Sequence, residues 1–160
     1  MVRLAVCRWL VCIGLLFCSS LASIASAGSW HVNSENVLLD GYDLVAYQLD
    51  GEAIKGSPFN AALIDGVILH FSSKDNLRAF RRSPGKYLPS YNGYCAFAVG
   101  AKNAKVHSDP NTFKVINGRL FMFFNDLHEG EMVNTKVFWD QNESQLHSQA
   151  DKNWNMLKED

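Results

Sequence analysis

Thr112-Phe113-Lys114-Val115-Ile116-Asn117-Gly118-Arg119-Leu120-Phe121-Met122-Phe123-Phe124 decides the fold class. Asn117-Gly118 separates two β-rich runs, 112–116 and 119–124. Asn-Gly suits the two-residue turn of a hairpin because both turn positions need positive φ. Val115, Phe121 and Phe123 fall on one face, and Lys114, Leu120 and Met122 on the other. So continuous an apolar run predicts a strand covered on both sides. The same device stands upstream, where runs 59–64 and 67–71 flank Asp65-Gly66. Beyond these two similar hairpins, no internal repeat or low-complexity tract is legible.

Helical signals fill the space between and after the hairpins. Ser72-Ser73-Lys74-Asp75 has the spacing of a capping box, in which a hydroxyl and a carboxylate three residues on satisfy orphaned amides. Leu77 and Phe80 then share a face. Pro84 ends that helix or starts a further turn carrying Tyr87 and Leu88 onto the same core. Val137, Phe138 and Trp139, then Leu146, Ala150, Trp154 and Leu157, recur at helical spacing and predict one or two C-terminal helices. The dense apolar entry at 44–49 reads as a strand, with Asp43 closing a turn before it and Tyr42 packing. The expected class is α+β: a small antiparallel sheet built from two β-hairpins, with helices packed on it.

Residues 1–27 read as a secretory signal peptide. Arg3 and Arg8 precede a short apolar run at 10–17, and Ala25-Ser26-Ala27 supplies a small-residue cleavage pattern. Cleavage near Ala27 places the mature chain in the periplasm or outside the cell. Residues 28–36 read as a flexible polar arm and 37–160 as one domain. No later stretch suits a membrane span. The chain carries 15 Lys and Arg against 16 Asp and Glu. Losing Arg3 and Arg8 leaves a mildly acidic protein without the basic face that phosphate backbones require, which argues against nucleic acid as a partner.

Cleavage also removes Cys7, Cys12 and Cys18, leaving Cys95 as the single thiol. One cysteine cannot form an internal disulfide, so this sulfur is buried packing, a metal ligand, an intermolecular partner or a reactive group. Gly93 permits close backbone approach beside it, and aromatic residues flank it. His107 follows twelve residues later in a polar loop. A Cys95–His107 pair has the chemistry to bind a metal or to ionise the thiol; a solvated loop histidine is the plain alternative. His31, His70, His128 and His147 show no ligand-like spacing, and no phosphate loop or nucleophile elbow is present.

Leu39-Asp40-Gly41-Tyr42-Asp43-Leu44-Val45-Ala46-Tyr47, Phe71-Ser72-Ser73, Tyr91-Asn92-Gly93-Tyr94-Cys95-Ala96-Phe97-Ala98-Val99, Asn117-Gly118-Arg119-Leu120 and Ala150-Asp151-Lys152-Asn153-Trp154 together resemble the exported bacterial YHS-domain family. The resemblance implies a YHS-like α+β domain exported to the periplasm. Short YHS domains attached to copper-transporting ATPases carry soft-metal thiols where this chain has Ala46, Ser72 and Asn76. Copper or another soft metal is the cofactor that analogy suggests, although those three thiols are missing here. Some exported relatives have selenocysteine at the place of Cys95, which implies redox or ligand chemistry at this sulfur. The expected function is a small metal-binding or thiol-redox accessory protein using Cys95, working with a periplasmic protein or thiol partner. A thiol-dependent enzyme with Cys95 as nucleophile and a non-catalytic interaction module with Cys95 as packing are the alternatives.

Overall fold

A computed structural model describes residues 29–159, so the expected signal peptide at 1–27 lies outside the described residues. Both turn dipeptides form the expected hairpins. Asp65 and Gly66 (φ 49° and 80°) join β1 (Ser57–Ile64) to β2 (Val67–Phe71), and Asn117 and Gly118 (51° and 76°) join β3 (Asp109–Ile116) to β4 (Arg119–Phe123). The hairpins do not merge into one sheet, as the sequence suggested. Three separate two-stranded antiparallel ribbons are present among the described residues. The free edges are taken by irregular backbone instead: Val37 bridges Ile68, while Pro89 and Cys95 bridge Leu120 and Met122.

Residues 44–49, expected as a strand, form helix α1 (Leu44–Leu49). Leu44, Val45, Ala46 and Tyr47 are all buried, so the run shows no amphipathic period. The Asp43 carboxylate decides the matter by accepting the amides of Val45 (2.8 Å) and Ala46 (3.3 Å) as an N-cap. Helix α2 (Lys74–Arg82) starts one residue later than the capping-box reading placed it. Ser73, not Ser72, is its cap, accepting the Asn76 amide, and Asp75 pairs with Arg78 in solvent. Pro84 opens α3 (Pro84–Tyr87), which brings Tyr87 into the core beside Phe80. Two elements went unread in the sequence: α4 (Ala96–Lys102) and a third hairpin, β5 (Asn125–His128) with β6 (Glu131–Asn134). Helices α5 (Thr135–Gln141) and α6 (Glu143–Leu157) complete the chain, and α6 is fastened to α4. Asn153 donates to the carbonyls of Val99 (2.7 Å) and Gly100 (3.2 Å).

The two faces of β4 serve two cores. Leu120 and Met122 join Leu38, Tyr47, Leu69, Phe71 and Phe80, while Phe121 and Phe123 join Tyr91, Val99, Trp139 and Ala150. The arm at 29–36 is tied down by the His31 amide, which donates to the Asn92 carbonyl, and by Trp30 and Val32 packed on the first core.

Pairing registers reveal an internal repeat that the sequence reading missed. Ser57 pairs with Phe71 as Asp109 does with Phe123, and Ala61 with His70 as Phe113 does with Met122; both hairpins shift register at the same place. The parallel bridge Val37–Ile68 recurs as Pro89–Leu120. Left-handed backbone at Leu39, Asp40 and Gly41 recurs at Tyr91, Asn92 and Gly93. The Asp43 amide donates to the Ile54 carbonyl as the Cys95 amide does to that of Val106. In each case the offset is 52 residues (57 to 109, 43 to 95), without a gap from 37–72 to 89–124. Identities across the repeat are sparse, confined to pairs such as Gly41 and Gly93, Tyr42 and Tyr94, Pro58 and Pro110, and Phe71 and Phe123.

Candidate functional site: an apolar cavity beside Cys95

In the first repeat the corner at Asp43 is closed. The fully buried carboxylate accepts from the Ser72 amide (2.7 Å), the Ser72 hydroxyl (2.6 Å) and the Asn76 side chain (2.7 Å), besides the two amides of α1. Ala46, through its amide, and Ser72 and Asn76 thus converge on a satisfied carboxylate. No cysteine or imidazole is there to take a soft metal.

Cys95 holds the place of Asp43 in the second repeat, at the start of α4. Its side chain makes no capping hydrogen bond. At the offset of 52, Ala98 and Phe124 stand where the first repeat has Ala46 and Ser72; beyond the repeat, on β5, lies His128. In place of a polar plug there is a cavity of about 540 Å³, lined by Cys95, Ala98, Phe124 and His128. Phe97, Val106, Val133 and Phe138 complete an almost wholly hydrocarbon wall, and Thr135 and Lys102 are the other polar members. Cys95 borders this cavity while being 0% exposed, so its thiol is shielded from solvent. His128, Lys102 and Phe138 are exposed at the mouth.

The thiol has one hydrogen-bond partner among the described residues. Thr135 Oγ1 lies 3.3 Å from Cys95 Sγ; it donates to the Phe124 carbonyl (3.0 Å) and accepts the Phe124 amide (3.1 Å). With the hydroxyl proton so placed, the thiol is the donor to Oγ1. The Phe124 carbonyl also receives the Thr135 amide at 2.9 Å. The Thr135 hydroxyl is therefore free to turn and donate to a deprotonated sulfur without leaving that carbonyl orphaned.

His107 does not join Cys95 in the cavity lining. Its exposed imidazole packs edge-on against Phe124 (4.9 Å) and lies 6.4 Å from the His31 ring. Burial, and then the charge of His107, holds His31 below the ordinary histidine range. Ser108 donates to the Gly93 carbonyl at 2.7 Å, so His31 Nδ1 carries the proton in its 3.3 Å contact with the Ser108 hydroxyl. Among the described residues no group of three or more His, Cys, Asp or Glu side chains comes together to hold a metal ion. The potential donors that line the cavity are the Cys95 thiol, the Thr135 hydroxyl and the exposed His128 imidazole.

Three consecutive left-handed residues, Tyr91, Asn92 and Gly93, deliver the chain to Cys95. Tyr91 is strained there, and its surroundings hold it. Its hydroxyl donates to Asp151 (2.9 Å), and its ring lies against Phe121 and Trp154. Asp151 in turn takes a two-pronged contact from Arg119, whose Nη1 also donates to His147 Nε2 at 2.7 Å. Thr135, His128 and the third hairpin were missed because they come from a segment without strong β-formers. No protein-family model, curated protein or solved structure matches this chain.

Proposed function

We propose that the protein is a small exported accessory protein of YHS-like type. Its work is to bind a small, mostly apolar molecule in the cavity beside Cys95, with the thiol as the contacting or reacting group. The observation that carries this reading is the cavity of about 540 Å³ bordered by the only cysteine among the described residues. That volume lies in the range of small-molecule sites, and an apolar wall with few convergent polar groups is their usual composition. A copper-holding role draws on the resemblance alone.

The Thr135 hydroxyl favours a second reading of the same cavity, in which Cys95 is a nucleophile. Its capacity to donate to sulfur would suit attack on a pocket-bound disulfide, whose S–S bond breaks as the mixed disulfide with Cys95 forms and whose departing sulfur takes the thiol proton.

Both readings require that Cys95 be reached through the cavity. N-phenylmaleimide, which fits, should modify the native protein, while a polyethylene-glycol-linked maleimide should wait for unfolding. Mass spectrometry over a urea series reads the two rates. If both reagents react only as the protein unfolds, Cys95 is core packing and the proposal fails.

A further inference from the structure

Resting on that reading of the cavity, we propose that its ligand is an amphipathic organic anion: an apolar body seated against Phe97, Phe124 and Phe138, and a single carboxylate-like group held by Lys102 at the mouth. Three observations carry this. First, the cavity does not come with the fold. The first repeat builds the same corner and fills it with the Asp43, Ser72 and Asn76 network, whereas the second, with Cys95 and Phe124 in place of Asp43 and Ser72, leaves about 540 Å³ open. Second, the wall offers almost nothing to a polar molecule. A ligand with several hydroxyls or charges would lose its hydration there without replacement.

Third, the mouth carries an available cation. Lys102 lines the cavity, and its exposed ammonium makes no ion pair or hydrogen bond with another described residue. Lys114 and Lys136, by contrast, are each held by carboxylates, Lys114 by Asp140 and Glu143 and Lys136 by Asp140. No Asp or Glu lines the cavity to repel an anion. A flexible ammonium beside apolar walls acts as a point charge toward a carboxylate and needs no fixed angle.

Octanoate and its neutral isostere octanamide separate the two levels of the argument. Titrated calorimetrically into the protein, octanoate should bind about fivefold more tightly than octanamide, the advantage expected of one part-exposed ion pair. Lys102→Met should bring octanoate down to the affinity of octanamide and leave octanamide unchanged. Ala98→Leu, which fills the cavity, should weaken both. Circular dichroism melts of each variant check that the fold is retained. Equal binding of the two ligands, or an octanoate affinity indifferent to Lys102→Met, overturns the anion inference while the cavity reading stands. Failure of both ligands to bind, or binding indifferent to Ala98→Leu in a folded variant, overturns the two together.

Discussion

The Asp43 carboxylate accepts five hydrogen bonds, from the amides of Val45, Ala46 and Ser72, the Ser72 hydroxyl and the Asn76 side chain. Removing it takes the cap from α1 and orphans buried donors at once. Asp43→Ala should therefore cost about 3 kcal/mol or more, since a lost cap and each unsatisfied buried group cost about 1 kcal/mol or more apiece. Cys95→Ala, in the corresponding corner, removes one weak hydrogen bond and a small side chain that already borders a cavity. Its cost should be about 1 kcal/mol, near the ordinary cost of a point substitution. Urea denaturation of the two variants makes the comparison; equal losses would mean that Cys95 is as structural as Asp43. A second residue-scale expectation concerns His31. Burial, then His107, lowers its pKa, so the folded state binds a proton less readily than the unfolded chain. Its contribution to stability is complete above the unfolded value of about 6.5 and is lost as pH falls from there through the lowered folded value. NMR titration should show His31 rising toward the ordinary range in His107→Ala, but not reaching it, because burial is the larger cause.

Gly100 sits inside α4, where alanine is ordinarily the better helix former by about 1 kcal/mol. Here a Cβ would stand 2.8 Å from the Leu146 carbonyl oxygen of α6. Backbone does not yield as a side-chain tip does, so Gly100→Ala should destabilise by about 1–3 kcal/mol, the usual cost of overpacking, despite its propensity gain. A thermal melt of the variant at or above that of the parent would show that α4 and α6 are not packed this closely. The same glycine explains why α4 was illegible: seven residues, Ala96–Lys102, with a glycine among them give no helical period. Both main hairpins were legible because Asp65-Gly66 and Asn117-Gly118 impose a backbone that few other residues accept. The 44–49 segment was misread because a helix buried all round and a buried strand look alike, and Asp43 alone tells them apart. The cavity could not be read, since its walls come from α4, the 124–135 segment and α5, which meet only in the folded chain.

At the scale of the molecule the two repeats are not two domains. The core of the first repeat includes Leu120 and Met122 from β4 of the second, and Tyr47 sends its hydroxyl to the Pro110 carbonyl at 2.7 Å. Burying those side chains is worth about 1.5–3 kcal/mol each, a large share of the stability of a chain this size. Residues 29–88 expressed alone should therefore show no cooperative melt, and the chain 29–160 should unfold in a single transition. Two separated transitions, or a folded fragment, would make the repeats independent units.

One consequence of the 52-residue offset lies in how much change each half of the chain tolerates. A corner that is built twice needs to be rigid only once. With Asp43, Ser72 and Asn76 locking the first copy, the second is released from that duty, and its counterparts are free to drift in size and chemistry as the occupant of the cavity demands. Saturation mutagenesis scored by yield of folded protein should give a lopsided map. Positions 43, 72 and 76 should accept almost nothing, whereas 95, 98, 124 and 128 should accept many side chains and change what the protein holds before they change whether it folds.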